Sequence, residues 1–319
     1  MSKNTPFQLA VTGALAILLS ACGGGSSSTT TTDSGTSTST STSTSTAGVL
    51  CDYASSLFNG SPSVNATATA RWSCSSTQRS LAANGLPDHA VGTFPNPENP
   101  NTIAAQSIAV STTLTPKKTA ANTTFGPGGS KPGIALNGIV FDPGTAGTCD
   151  NSGNTCSPGG APVGTWTMEA LGQTSFRFGT DSNNAHVQPG GVYHYHGVPE
   201  GLVTKLNKGT AMSLIGWAAD GFPIYARYGY ATATDANSAI KVLASSFRLK
   251  NLPDANRSAT SIYPMGAFTQ DYEYVVGLGD LDECNGRTGV TPEFPAGIYH
   301  YVATDTFPYL HRCVKGSVG

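Results

Sequence analysis

Charged side chains are scarce in this sequence. Lys, Arg, Asp and Glu together make up 11% of its 319 residues, and the formal net charge is −2. The only adjacent pair of basic residues is Lys117-Lys118. A protein that binds DNA or RNA needs a clustered basic surface to contact the phosphates. We therefore expect no nucleic-acid partner.

Several catalytic signatures and structural patterns are also missing. The sequence has no C-x-x-C, no G-x-S-x-G, no phosphate-binding G-x-x-x-x-G-K, no H-E-x-x-H and no dinucleotide fingerprint. With 38 Gly and 20 Pro, it has no long stretch of helical periodicity. These absences remove the best-known hydrolase, kinase and dehydrogenase classes and argue against a helical fold.

The N-terminus has the layout of an export signal. One cation, Lys3, precedes an apolar run over 9–19, which is too short to span a bilayer comfortably. The run ends in Leu19-Ser-Ala-Cys22, which resembles the bacterial lipobox, where the chain is cut before the cysteine and the cysteine is fatty-acylated (a palmitate-type anchor). We predict a lipoprotein signal peptide over 1–21, with a secretory signal and a chance cysteine as the alternative. Gly23 follows the cysteine, where an Asp would resemble an inner-membrane retention signal. We therefore expect the protein in the outer membrane, facing the periplasm or the cell surface.

A tether and one domain follow the signal peptide. Residues 22–48 are almost entirely Ser, Thr and Gly, with the single charge Asp33. Such a segment has too little apolar surface to offset the entropy lost on ordering, so we predict a disordered linker. Residues 49–319 contain no second low-complexity stretch and are predicted to form a single domain.

The cysteines fit an oxidising compartment. Once Cys22 is assigned to the lipid, six remain, and an even number in an exported chain indicates disulfides. Fifteen pairings are possible. A metal site of thiolates is the alternative, which the lack of C-x-x-C disfavours. The simplest pairing along the sequence is Cys51 with Cys74, Cys149 with Cys156, and Cys284 with Cys313.

The domain is predicted to be all-β. Short runs rich in Val, Ile, Thr, Tyr and Phe alternate with Gly and Pro, which favours a sandwich or jelly-roll-like fold with long loops. The clearest hairpin spans 214–225, where Asp220-Gly221 suits a tight turn. A short helix is predicted over 238–248.

Histidines supply the most informative motif. The segment 189–196 ends in Tyr-His-Tyr-His, and 295–302 repeats it as Pro-x-Gly-[Val/Ile]-Tyr-His-Tyr. Alternate residues of a strand share a face, so His194 and His196 should point one way, with the tyrosines on the other face. His300 is a candidate third ligand for a copper or zinc ion. Hydrogen-bonded structural histidines are the alternative.

Further candidates surround this motif. His186 and His89 lie in predicted loops that could fold back to add metal ligands, and His311 is the weakest histidine candidate. Carboxylates could orient a ligand or act as an acid or base. One acidic run does not match an EF-hand, because position twelve is Thr291. The carboxylate candidates are Asp220, Asp280, Asp282 and Glu283.

These segments resemble the YHYH-domain family, named for the tetrapeptide at 193–196. Similar blocks lie at 86–96, 135–143, 216–225, 271–274, 279–287 and 291–301, so the resemblance covers about 86–316. The family is exported and often lipid-anchored, and the resemblance implies no settled molecular function. Ala226 stands where we expect glycine.

Three functions follow as hypotheses. The first is a histidine metal site for copper or zinc handling or for metal-dependent chemistry, whose partner would be the metal or an unknown small ligand. The second is a non-catalytic surface module that binds glycans or another ligand on a stacking platform. The third is a cupredoxin-like carrier that uses His311 and Cys313. The platform residues would be Tyr193, Tyr195, Tyr299, Tyr301 and Trp217.

Overall fold

Strands dominate the computed structural model, which describes residues 51–126 and 131–318. The predicted β-rich class is confirmed. The signal peptide over 1–21, the linker over 22–48 and the lipidated Cys22 lie outside the described residues and stay predictions. Among the described residues, no helix has the length and apolar composition needed to cross a membrane.

The strands are short, as the frequent Gly and Pro predict. The α-helix α1 (Glu200–Leu206) and a 3-10 helix (Thr269–Asp271) accompany them. The strands are β1 (Ala54–Asn59), β2 (Ala66–Cys74), β3 (Gln78–Ala83), β4 (Ile108–Thr113), β5 (Lys118–Thr124), β6 (Gly133–Ala135), β7 (Val140–Phe141), β8 (Thr148–Cys149), β9 (Cys156–Ser157), β10 (Trp166–Thr167), β11 (Ala185–Gln188), β12 (Val192–Tyr195), β13 (Ser213–Ala218), β14 (Pro223–Ala226), β15 (Tyr228–Tyr230), β16 (Ile240–Val242), β17 (Phe247–Leu249), β18 (Tyr272–Tyr274), β19 (Gly286–Gly289), β20 (Ile298–Ala303) and β21 (Cys313–Gly316).

Two sheets form the body of the domain. The first is a four-stranded antiparallel sheet in the order β1-β2-β3-β4. The second is an eight-stranded mixed sheet in the order β11-β12-β7-β6-β13-β14-β20-β19. A three-stranded sheet, β10-β8-β9, and the pairs β15-β16, β17-β18 and β21-β5 lie outside these two.

The two large sheets share a hydrophobic core, as a sandwich does. Trp72 and Leu81 of the four-stranded sheet belong to the same buried cluster as Trp217 and Tyr225 of the eight-stranded sheet. The indole Nε1 of Trp72 also donates a 2.8 Å hydrogen bond to the backbone oxygen of Leu136. This hydrogen bond gives a partner to the one polar atom of the buried indole.

The opposite face of the eight-stranded sheet carries a second core. Tyr193 and Tyr195 of β12 and Tyr301 of β20 are buried in it, together with Leu202 from α1. The tyrosines of both motif copies therefore lie on one face, and the histidines between them lie on the other. This alternation along the strand confirms the prediction made from the period of two.

The predicted hairpin is confirmed and the predicted helix is wrong. Strands β13 and β14 pair antiparallel, and the turn places Gly221 at φ +89°, a conformation that favours glycine. The segment 238–248 instead contributes β16 and part of β17. Ile240 and Val242 are β-branched and pair with β15, which overrides the weak helical pattern.

All three predicted disulfides are present. They join Cys51 to Cys74, Cys149 to Cys156, and Cys284 to Cys313. The second holds together β8 and β9 in the three-stranded sheet. A disulfide of this kind stabilises a domain by roughly 2–4 kcal/mol.

The eight-stranded sheet contains the same four-stranded arrangement twice. In one half, the hairpin β6-β7 runs parallel to β12 of the hairpin β11-β12. In the other half, the hairpin β13-β14 runs parallel to β20 of the hairpin β19-β20. The order of strands reverses at the β6-β13 pair in the middle, so the halves are related by an approximate twofold rotation.

Side-chain contacts repeat with the strands. The Tyr195 hydroxyl accepts from Asn137 in the β6-β7 turn at 3.0 Å, and the Tyr301 hydroxyl donates to Asp220 in the β13-β14 turn at 2.6 Å. Tyrosines at the next alternate positions donate to aspartates that precede β11 and β19. These pairs are Tyr193 with Asp181 at 2.8 Å and Tyr299 with Asp282 at 3.0 Å.

Candidate metal centre

Three histidines meet at the outer end of the eight-stranded sheet. His186 on β11 lies directly across from His194 on β12, and His196 follows β12 on the same face. The backbone N–H of His196 donates to the oxygen of Asn184 at 2.7 Å, which keeps that residue in the ladder. The ring centroids are 4.6 Å (His186–His194), 4.6 Å (His186–His196) and 4.7 Å (His194–His196) apart. We call these residues the histidine triad.

Backbone contacts turn two of the three rings toward a common point. Nδ1 of His186 lies 2.8 Å from the oxygen of Phe178, and Nδ1 of His194 lies 3.1 Å from the oxygen of Val192. A carbonyl can only accept, so both Nδ1 atoms carry the proton and both Nε2 atoms keep a lone pair. In metalloproteins, a backbone acceptor of this kind fixes the tautomer that ligates through Nε2.

The ring nitrogens are close enough to share one ion. Nε2 of His186 and Nε2 of His196 are 3.1 Å apart, and one ligand atom from each member of the triad lies within 4.8 Å of the others. Two nitrogens bound tetrahedrally at about 2.05 Å from a zinc ion would be about 3.3 Å apart. Nδ1 of His196 is buried without a hydrogen bond of normal geometry.

Burial keeps the triad uncharged. Desolvation lowers the pKa of His194 to about 3 and lowers the pKa of His196 well below its usual range. Desolvation also lowers the pKa of His186, although the Phe178 carbonyl and nearby Asp142 favour its charged form. Because a metal binds only neutral imidazole, these shifts leave the triad ready to ligate at neutral pH.

The triad lines a cavity of about 530 Å³. Asp142 and Lys131 form an ion pair on its wall. The backbone N–H of Asp142 donates to the oxygen of Tyr195 at 2.8 Å, which places this carboxyl beside His196 in the parallel ladder. Burial raises the pKa of Asp142, and the hydrogen bond from Lys131 opposes that shift. Neither residue is among the candidates predicted from the sequence. The signal was available, since Asp142 directly follows the short apolar run 139–141.

His300 does not join the triad, which corrects the expected convergence. It lies on β20, and four strands separate β20 from β12 in the sheet. At about 4.8 Å per strand, the separation is on the order of 24 Å. Its Nδ1 lies 3.2 Å from the oxygen of Ile298, and its ring packs edge-on against Tyr225.

The remaining two histidines also lie elsewhere. His89 is on the tyrosine face of β12, where its Nε2 lies 2.6 Å from the Tyr195 hydroxyl and its Nδ1 lies 3.0 Å from the oxygen of Ala90. His311 stacks on Tyr301, and its Nε2 lies 2.9 Å from the oxygen of Pro132. Neither contributes to the group of potential ligands.

The acidic candidates have structural contacts away from the cavity. Asp220 accepts from the N–H of Gly316 at 2.8 Å as well as from Tyr301. Asp280 pairs with Lys241 at 2.6 Å, and Glu283 accepts from Asn122 at 2.8 Å. Asp282 accepts from Tyr299 and from the N–H of Cys284 at 3.0 Å. None of the four lines the cavity.

The structure removes the residues on which the glycan-platform and cupredoxin-like hypotheses depend. The five aromatic side chains of the supposed glycan platform are at most 4% exposed, so they are core residues and offer no stacking surface. Cys313 is disulfide-bonded, which removes the thiolate that a cupredoxin-like site needs.

Comparison with known proteins supports one assignment. Neither the curated proteins nor the solved structures include a match. The family model described as "YHYH protein" matches residues 109–316, about two thirds of the chain. The motif that names this family supplies His194 and His196 of the triad. The chain therefore belongs to the YHYH protein family.

Proposed function

We propose that this protein binds one transition-metal ion, zinc or copper, through His186, His194 and His196. The observation that carries the proposal is the convergence of three imidazoles, His194 and His196 buried and His186 half-buried, with Nδ1 of His186 and His194 held by backbone carbonyls. Nε2 of His186 and Nε2 of His196 lie 3.1 Å apart, so one ion could bind both nitrogens in place of the hydrogen bond between them.

The ligand set suits both metals. Neutral imidazole is a borderline donor that binds zinc and copper alike. Three protein ligands leave a fourth position open, and in this protein that position faces the cavity. A bound ion there would act as a Lewis acid toward a water or an oxygen-bearing molecule. The proposal therefore covers both metal handling and metal-dependent chemistry.

A metal titration tests this proposal. The protein is purified without a polyhistidine tag, stripped with chelator, and titrated with zinc and with copper(I) or copper(II) while its melting temperature is followed. Binding to the folded state raises the stability by RT ln(1 + [L]/Kd), which is about 2.7 kcal/mol at one hundred times Kd. We expect one ion per chain and a higher melting temperature.

Matched histidine variants locate the ion. His194→Gln and His196→Gln should lower affinity at least about tenfold, because each removes one of three ligands. His89→Gln changes a half-buried histidine outside the triad and should leave affinity unchanged. Loss of binding in H89Q with retention in H194Q would contradict the assignment.

We also propose that Cys22 carries the lipid anchor and that the protein sits in the outer membrane, facing the periplasm or the cell surface. The lipobox-like Leu19-Ser-Ala-Cys22 supports this location, and the three disulfides indicate an oxidising compartment. Detergent phase partitioning of the full-length protein tests it. Wild type should enter the detergent phase, and Cys22→Ser should remain in the aqueous phase.

A further inference from the structure

The charges around the cavity balance without any ion. Lys131 pairs with Asp142, and Arg177 pairs with Glu98 at 3.0 Å, and all four residues line the cavity. The triad contributes three neutral rings. Among the described residues, the carboxylates that line the cavity are both paired, so neither is free to neutralise the two positive charges of a divalent ion on the triad.

An unneutralised charge is costly in this place. His194 and His196 are 3% and 2% exposed, so water screens an ion at their Nε2 atoms on the cavity side only. Structural zinc sites commonly neutralise the ion with thiolates. Here the described cysteines are all in disulfides, so no thiolate compensates the charge, and a bound hydroxide or an anionic molecule in the cavity would supply it.

The cavity is larger than a single bound water or hydroxide requires. Its volume of about 530 Å³ lies within the range of small-molecule sites. Phe178 supplies an apolar wall. Asn99 and Asn101 also line the cavity, and their amides donate to the backbone oxygen of Val187 at 2.9 and 2.8 Å, which holds this part of the lining to β11.

We infer that the metal centre takes a small molecule bearing a carboxylate or phosphate group, held between the ion and the Lys131 ammonium. This inference rests on the proposed metal site. Lys131 is suited to the role because its ammonium has three donors and one partner carboxylate, Asp142, while remaining 29% exposed. Asp142 fixes the ammonium beside His196 and acts as a positioning residue.

Arg177 is the natural comparison for Lys131. It lines the same cavity, but its side chain is 75% exposed and pairs with Glu98 at the surface. Solvent and salt screen a charge in that position. Removing Arg177 should therefore change anion affinity far less than removing Lys131, although both substitutions delete one positive charge.

Isothermal titration calorimetry on the zinc-loaded full-length protein tests the inference. The probes are succinate, inorganic phosphate and the neutral analogue succinamide, each also titrated into the zinc-free protein. We expect succinate or phosphate to bind only when zinc is present and succinamide to bind at least about tenfold more weakly, since charge-assisted hydrogen bonds are about twice as strong as neutral ones. The stronger probe identifies which oxyanion the site prefers.

Variants test the contact between the bound anion and the Lys131 ammonium. Lys131→Met should lower anion affinity about tenfold or more without lowering zinc affinity, and Lys131→Arg should retain most of the anion affinity. Arg177→Met should change it less than threefold. Because K131M leaves the Asp142 carboxylate without its cation, K131M/D142N removes the pair together and should show the same loss.

The outcomes separate this inference from the proposed function. A protein that takes up neither zinc nor copper overturns both, and a protein that takes up only copper is tested with the same probes in its copper-loaded form. A protein that takes up one zinc yet binds succinamide as well as succinate or phosphate overturns only the oxyanion. Zinc-dependent anion binding that is equally strong in the wild type, K131M and K131M/D142N overturns the role of Lys131.

Discussion

His194 and His300 occupy equivalent positions in the two halves of the eight-stranded sheet, yet only His194 meets other histidines. His194 lies across from His186, whereas His300 lies across from Arg287. The next position on the same face is His196 in one half and Val302 in the other. The repeated Tyr-His-Tyr motif thus marks a structural repeat, in which two of the three candidate ligand positions hold other residues in the second half.

This relationship predicts that a second site can be installed. Arg287→His and Val302→His together should let the second half bind an ion with His300, raising the zinc stoichiometry from one to two per chain. The framework is already present, because the flanking tyrosines, turns and strand register match. Metal analysis after dialysis, with each single variant as a control, gives the count.

The converse change keeps this idea testable if that variant fails to fold. H186R/H196V gives the first half the residues of the second half, so it should fold and lose its metal. The swapped variant H186V/H196R has no counterpart in the protein and should be less stable. Equal urea midpoints for the two variants would contradict the equivalence of the halves.

The sequence predicts which residues form the site better than it predicts how the fold brings them together. Alternation along β12 is a local property, so the faces of His194 and Tyr195 could be predicted from the period of two. Strand order is not local. The likeness of the two motif copies suggested that their histidines meet, whereas a twofold repeat places equivalent residues at opposite ends of a sheet.

His186, the third member of the triad, could not be placed from the sequence for a related reason. His186 reaches the triad because β11 pairs with β12 through a short hairpin, and this pairing makes its strand partner His194. From the sequence, His186 was expected in a loop before the strand, eight residues ahead of the motif. The pairing of all three disulfides, by contrast, followed from nearest neighbours along the chain.

Tyr195 should behave as a core residue and not as a ligand platform. Tyr195→Ala removes a fully buried ring and should cost about 3–5 kcal/mol of unfolding free energy. Tyr195→Phe keeps the ring, loses the contacts with His89 and Asn137, and should cost about 1–2 kcal/mol. Urea denaturation measures both. Phe58→Ala, at a position 66% exposed, is the control and should change stability by less than about 0.5 kcal/mol. An equally small loss in Y195A would contradict the core assignment.

Stability should fall in mild acid through His300. Desolvation lowers its pKa from 6.5 to about 4 in the folded protein, so the unfolded chain takes up the proton first as the pH decreases. Its contribution is complete above about pH 6.5 and is lost as the pH falls toward 4, by up to about 3 kcal/mol. Urea midpoints of the metal-free protein at pH 8, 6, 5 and 4 should therefore decline less steeply in His300→Gln. Identical slopes would show that His300 is not buried in its neutral form.

The central claim is that three imidazoles share one ion, and anomalous diffraction from a crystal of the zinc- or copper-loaded protein tests it most directly. The account predicts one strong peak about 2.0–2.1 Å from Nε2 of His186, His194 and His196, with the open side of the ion facing Asp142 and Lys131. A peak at His89 or His300, or a fully loaded crystal with no peak at the triad, would contradict it.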